Sequence, residues 1–183
     1  MSKLEVDAIE PQSGTTLTIG ASGDTITIPS GATITNSGTA TGFGGGKVLQ
    51  VVQNTLTTLL STTSGTFVEA TGFNVSITPS SASSKILVMV STCVQNTGAD
   101  VGTYVTLARN STVLEANGLM FHKQASGESY FFASTAAFNY LDTPSTTSAI
   151  TYKVYIYSSS AGGTAQVNYD NNVGTITAIE IGA

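Results

Sequence analysis

Chemistry in this chain has few groups to draw on: one histidine, His122, one cysteine, Cys93, and eleven carboxylates. A catalytic dyad or a zinc site needs a histidine with a positioned partner, and His122 has none nearby in sequence. A lone histidine in a Gly-rich stretch reads as a surface residue, or, with Phe121 and Lys123, as part of a contact patch. Cys93 follows the apolar run Ile86-Leu87-Val88-Met89-Val90, so a buried small hydrophobe is expected, and no cation beside it would activate a thiolate. The carboxylates are dispersed, with no two spaced as a glycosidase pair, although distant ones can converge in a fold. Asp170-Asn171-Asn172 offers hard oxygens that suit Ca²⁺, but those residue types first of all form turns and tolerate left-handed backbone. Gly42-Phe43-Gly44-Gly45-Gly46-Lys47 imitates a phosphate loop, yet Thr41 and Val48 stand where Gly and Ser/Thr are required. The three glycines read better as a hinge. No catalytic residue, metal or cofactor is expected.

Composition narrows the partners. Hydrophobic residues make up 40% of the chain and charged ones only 9%, against a usual charged share of about 25%. A solvated helix surface needs Lys, Glu and Arg, so a chain rich in Thr and Ser but poor in charge is all-β. A net charge of −5 argues against a nucleic-acid groove, which needs a basic footprint. No apolar run is long enough to span a membrane, and the acidic N-terminus lacks the apolar core of a secretory signal, so synthesis in a cytoplasm is expected.

The elements that must hold these groups read as strands. From residue 47 onward, about eight to ten short strands separated by turn residues predict a two-sheet antiparallel sandwich or jelly roll over 47–183. Residues 150–157 alternate strictly, with Tyr152, Val154 and Ile156 on one face. The apolar run 85–92 reads as a strand buried on both faces. Residues 117–129 read as a loop and 130–141 as a long aromatic strand. If successive strands are antiparallel, the loops 95–102, 118–129 and 158–172 fall at one end. The loops 79–84, 110–111 and 142–148 fall at the other, together with the entry from residues 1–46. Long loops on a rigid scaffold carry binding, so the first set supplies the candidate ligand contacts: Asn96, Asp100, His122, Lys123, Tyr169, Asp170, Asn171 and Asn172. Of the seven tyrosines, Tyr169 is the preferred contact, since Tyr joins a flat apolar body to a polar tip; the others are assigned to a core or subunit interface.

Residues 1–46 differ in texture. Thr16-Leu17-Thr18-Ile19, Thr25-Ile26-Thr27-Ile28 and Thr33-Ile34-Thr35-Asn36 repeat at a period of nine and then eight, with a single charge, Asp24, between Pro11 and Gly46. A short fixed period marks a repeating β architecture. So little apolar surface cannot close a core in one chain. The segment is therefore expected to order against copies of itself as a shaft over 12–42, the alternative being a flexible tail.

The stretch from Met1 through Leu4, Val6, Ile9 and Pro11 to Gly14, followed by Gly23-Asp24-Thr25-Ile26-Thr27-Ile28-Pro29-Ser30-Gly31, resembles the N-termini of bacteriophage virion appendage proteins, those of marine phages and cyanophages above all. From Lys47 onward the chain resembles the C1q/TNF-like trimeric jelly-roll heads that such fibres carry, in Ile77-Thr78-Pro79 through Val90, in Phe138-Asn139-Tyr140-Leu141-Asp142 and in the last strand. The resemblance implies a homotrimeric virion protein that docks on other virion proteins through Leu4, Val6 and Ile9. Its head would contact a host-surface glycan, either on a tail fibre or on a capsid-bound head fibre. A non-viral adhesin-like carbohydrate-binding module and a small glycan-active enzyme are the competing classes.

Overall fold

The computed structural model describes residues 9–35, 37–38, 47–98, 100–123, 133–160 and 163–182. The chain divides into two compact units, Met1–Thr41 and Gly42–Ala183. Leu4, Val6, the Gly44–Gly46 hinge and the loop 124–129 lie outside the described residues.

In the second unit the expected all-β sandwich is present. Among the described residues eleven strands run in order: β1 (Val48–Leu56), β2 (Leu60–Thr62), β3 (Val68–Ile77), β4 (Lys85–Thr97), β5 (Gly102–Arg109), β6 (Thr112–Val113), β7 (Leu119–Lys123), β8 (Ser134–Asp142), β9 (Ile150–Ser158), β10 (Thr164–Val167) and β11 (Gly174–Ile181). In the first sheet, β11 and β10 lie end to end along one edge of β4, with β1 and β2 outside them and β8 on the other edge of β4. In the second, β3, β9 and β5 are followed by β7 and the short β6. The antiparallel pairs β1·β11, β3·β9, β4·β8 and β5·β7 are the rungs of one ribbon folded over on itself, which is the topology of a jelly roll.

Period-two sequence explains each layer. Along β9, Ile150, Tyr152, Val154 and Ile156 point inward and meet Ile86, Val88, Val90 and Val94 of β4 and Phe73, Val75 and Ile77 of β3 in one core. Fully burying side chains of this size is worth about 1.5–3 kcal/mol each, before the entropy of ordering them.

Two sequence expectations are corrected. Strand β4 is buried on one face only: Met89 is 47% exposed and Ser91 is exposed, because among the described residues of this unit no layer covers the outside of the first sheet. The segment read as a loop from 117 contains β7, which the β5 edge recruits. The short strand that the sequence offers over 165–169, within the stretch 158–172, is β10, where residues 164–167 satisfy the open end of β4.

The first unit carries no strand among its described residues. Two turns mark the repeat, closed by Asp24 N–H to the Ala21 carbonyl and Ala32 N–H to the Pro29 carbonyl, each 3.1 Å. Gly23 and Gly31 hold φ values of 96° and 86° there, a region that suits glycine. Leu17, Ile19, Ile26, Ile28 and Ile34 are all exposed in this single copy.

Candidate functional site

Four of the predicted contact residues gather at one end of the sandwich. There Ser64, Gly102, Ser158 and Ser159 knit the described parts of the connections β2–β3, β4–β5 and β9–β10 together. Ser158 N–H donates to the Ser64 carbonyl at 2.8 Å and Ser159 N–H to the Gly102 carbonyl at 3.0 Å, while Gly102 N–H donates to Ser159 Oγ at 2.7 Å. Gly163 lies so close to Val101 that a Cβ there would collide with its side chain. Asn96 points inward and gives its Nδ2 to the Val101 carbonyl, which makes it a brace of the loop and not a surface contact. Asp100 is exposed at φ 59°. His122 and Lys123 sit on β7, opposite Thr103 and Gly102.

The other four lie elsewhere. Tyr169–Asn171 forms a single 3-10 turn between β10 and β11, partway along the sheet. It is a bulge stapled to the gap between β1 and β2: Asn168 Nδ2 donates to the Leu56 and Thr58 carbonyls at 3.1 Å, and Asn171 Oδ1 accepts from Leu59 N–H at 3.2 Å. Asn168, Asp170 and Asn171 all adopt left-handed φ between 52° and 59°, as turn-forming Asn and Asp tolerate. Cys93 faces outward beside this bulge and is partly buried, contrary to the expected core position. Burial pushes its thiol up, and the Asp170 carboxylate adds to the shift.

The opposite end is held by buried polar groups that the sequence did not single out. Glu180 is fully buried and accepts from Gln50 Nε2 at 2.6 Å, Ser80 N–H at 2.7 Å and Ser80 Oγ at 2.6 Å. Burial alone would raise this carboxyl, but the Ser80 and Gln50 hydrogen bonds outweigh it and hold it down at about 2. Asp142 receives Arg109 Nη1 at 2.9 Å and the Tyr152 hydroxyl at 2.6 Å, joining β5, β8 and β9. Burial and this carboxylate push the Tyr152 phenol well above its ordinary range. These acids serve architecture.

Two surfaces remain for binding. The outer face of the second sheet carries a tyrosine pair, Tyr104 and Tyr157, stacked at 4.4 Å, with the Phe67 ring edge-on to Tyr157 at 4.7 Å. Phe67 crosses so close to Gly118 that a Cβ there would meet its ring. The strict alternation of 150–157 separated Tyr155 and Tyr157 from the face of Tyr152, Val154 and Ile156; Tyr152 is buried, whereas Tyr155 and Tyr157 are half-buried and outside the core. The outer face of the first sheet carries an apolar rung that crosses four strands in register, Val51–Ile179–Leu87–Leu141. Leu141 is 51% exposed and Val51 58%. Lys85 is the one charged residue among the outward positions of β1, β4, β8 and β11.

A cavity of about 220 Å³ opens at the edge of the sandwich, between β8 and the segment leading into β7. It is lined by the buried Val105, Thr106 and Leu107 and the half-buried Phe138 and Tyr140, with Glu115, Leu119 and Asn139 exposed. Among the described residues no three His, Cys, Asp or Glu side chains cluster as metal ligands.

No family model matches the chain. No curated protein matches it. Among solved structures, one of the infectious bursal disease virus Gx strain is 16% identical over 73% of this chain and 37% of its own, with a TM-score of 0.42. The T13 particle of the same virus gives 14%, 73%, 38% and 0.43. A VP2 subviral particle of that virus gives 14%, 73%, 40% and 0.38. This chain spans about two-fifths of those chains, and a likeness at such values carries no functional argument.

Proposed function

We propose that the chain is a structural protein of a tailed-phage particle, a homotrimeric tail fibre whose jelly-roll heads attach to a host surface. The observation that carries this reading is the uncovered apolar rung Val51–Ile179–Leu87–Leu141. Apolar patches of this kind, rimmed by polar residues, mark interaction sites. The face is nearly uncharged, so a second copy meets no like charge there. The first unit supports the same partner. Leu17, Ile19, Ile26, Ile28 and Ile34 of its repeat find no cover in a single copy, and the repeat supplies an equivalent surface on every copy. Copies joined through that repeat hold their heads at high effective concentration, so a modest head–head contact suffices. Several weak heads then attach strongly together, and the reading needs no catalytic step.

The test is the solution mass of the full chain by light scattering. Three times the 18.7 kDa chain mass is expected. A double substitution Ile179→Asp/Leu141→Asp is expected to loosen the heads while leaving each head's circular dichroism unchanged. A clean monomer of the wild-type chain ends the fibre reading.

A further inference from the structure

We infer that the edge cavity of the head takes a neutral sugar residue bearing a methyl group, as an acetamido or a 6-deoxy substituent; this rests on the attachment reading above and gives it a site. The cavity is a built feature of the fold. The β5·β7 pairing ends at Val105, opposite Leu119, and beyond it the chain before β7 stands in. Leu114 N–H donates to the Leu107 carbonyl at 2.9 Å, and Thr106 Oγ1 donates to the Glu115 carbonyl at 2.9 Å. Those bonds fix one rim. The other rim is β8, whose full pairing with β4 holds Phe138, Asn139 and Tyr140 in register.

Size and polarity choose the ligand. At about 220 Å³ the space falls below the roughly 300–1,000 Å³ of drug-sized pockets, so it admits one ring and not an oligomer. Of its buried lining, Val105 and Leu107 have no side chain to hydrogen-bond, nor has Phe138 beside them, and the one hydroxyl there, Thr106 Oγ1, already donates to the Glu115 carbonyl. A fully hydroxylated hexose would bury hydroxyls there without partners, which binding penalises. A methyl group fits the same wall. At the mouth, Glu115 and Asn139 are exposed, and Tyr140 stands between wall and solvent. A carboxylate accepts from two neighbouring hydroxyls, an amide both gives and accepts, and an aromatic ring packs against sugar C–H groups. Glu115 and the net charge of −5 repel acidic sugars. The expected distal contact Asn96 is spent inside its loop, which leaves this edge better equipped than that end.

Saturation-transfer NMR on the full chain tests the site, with N-acetylglucosamine, fucose, glucose, N-acetylneuraminic acid and butylamine as separate probes. Transfer is expected to be strongest at the acetamido or deoxy methyl, with glucose at least about tenfold weaker. Glu115→Ala and Asn139→Ala, both exposed and so harmless to folding, are each expected to weaken it by about tenfold, while Asp100→Ala at the distal end leaves it unchanged. Equal binding of glucose, binding of butylamine alone, or loss of signal only in Asp100→Ala overturns the assignment. A trimer that binds no sugar overturns this site and leaves the fibre reading standing. A monomer that binds the methyl-bearing sugars through Glu115 does the reverse.

Discussion

The tripeptide Thr-Ile-Thr occurs at 25–27, at 33–35 and at 175–177. In the sandwich its central Ile176 is fully buried; in the repeat unit Ile26 and Ile34 are 59% and 58% exposed. Local sequence is the same, so β propensity cannot account for the difference. At Ile176 the chain sits between β1 and β4 and beneath a second sheet, which together supply hydrogen-bond partners on both edges and cover on one face. The repeat has turns at the right intervals but, among the described residues, neither neighbour nor cover. Alternation makes a strand possible, and only a facing layer makes it stable. The same rule operates within the sandwich, where the inner face of β4 is covered and its outer face, with Leu87 and Met89, is not.

The comparison can be broken most forcefully at Ile176. Ile176→Ala is expected to cost the head about 4 kcal/mol by urea unfolding, whereas Ile26→Ala in the same chain should shift the head's transition by less than about 0.5 kcal/mol. Equal costs would mean that the repeat packs like the core. Next comes Asp142→Ala, which strands the Arg109 guanidinium and the buried Tyr152 hydroxyl; about 3 kcal/mol is expected, read from the same denaturation curves.

Acid sharpens the contrast further. The Glu180 carboxyl is held at about 2 against an ordinary 4.5. Its ionised form is therefore favoured by folding, and its stabilising effect is complete above pH 4.5 and fades as pH falls from there through about 2. The head's urea midpoint should drop over that window, and Glu180→Gln should flatten the drop; an unchanged slope would show that other carboxylates set it. The smallest effect belongs to the surface pair Lys153–Glu69, at 2.7 Å and partly exposed. Glu69→Gln is expected to cost no more than about 0.5 kcal/mol and to lose even that in 1 M salt.

Much of the head was legible because period-two patterning is a local property. Residues 150–157 fall on the predicted faces, the loop 79–84 lies between β3 and β4, and the loops around 98–101 and 159–163 meet at one end as strand parity requires. Strand β7 was not legible, since His122 and Lys123 sit in a Gly-rich stretch and only the β5 edge draws them into a sheet. The bulge at 168–172 announced itself as a turn but not as an interruption midway along a strand pair. The edge cavity left no trace in sequence, because Glu115 and Asn139 meet only through the fold.

By itself, then, the sequence determined an all-β chain with a repeating, coreless first segment and a sandwich behind it, because strand period, turn residues and charge scarcity act over a few neighbours. The tertiary structure alone decided which face of β4 stays uncovered, where Asn96 points, how Glu180 and Asp142 are used and where the edge opens. Those outcomes depend on contacts between residues such as Gln50 and Glu180 or Arg109 and Asp142, far apart in the chain, and no local pattern encodes which partners the fold will bring together.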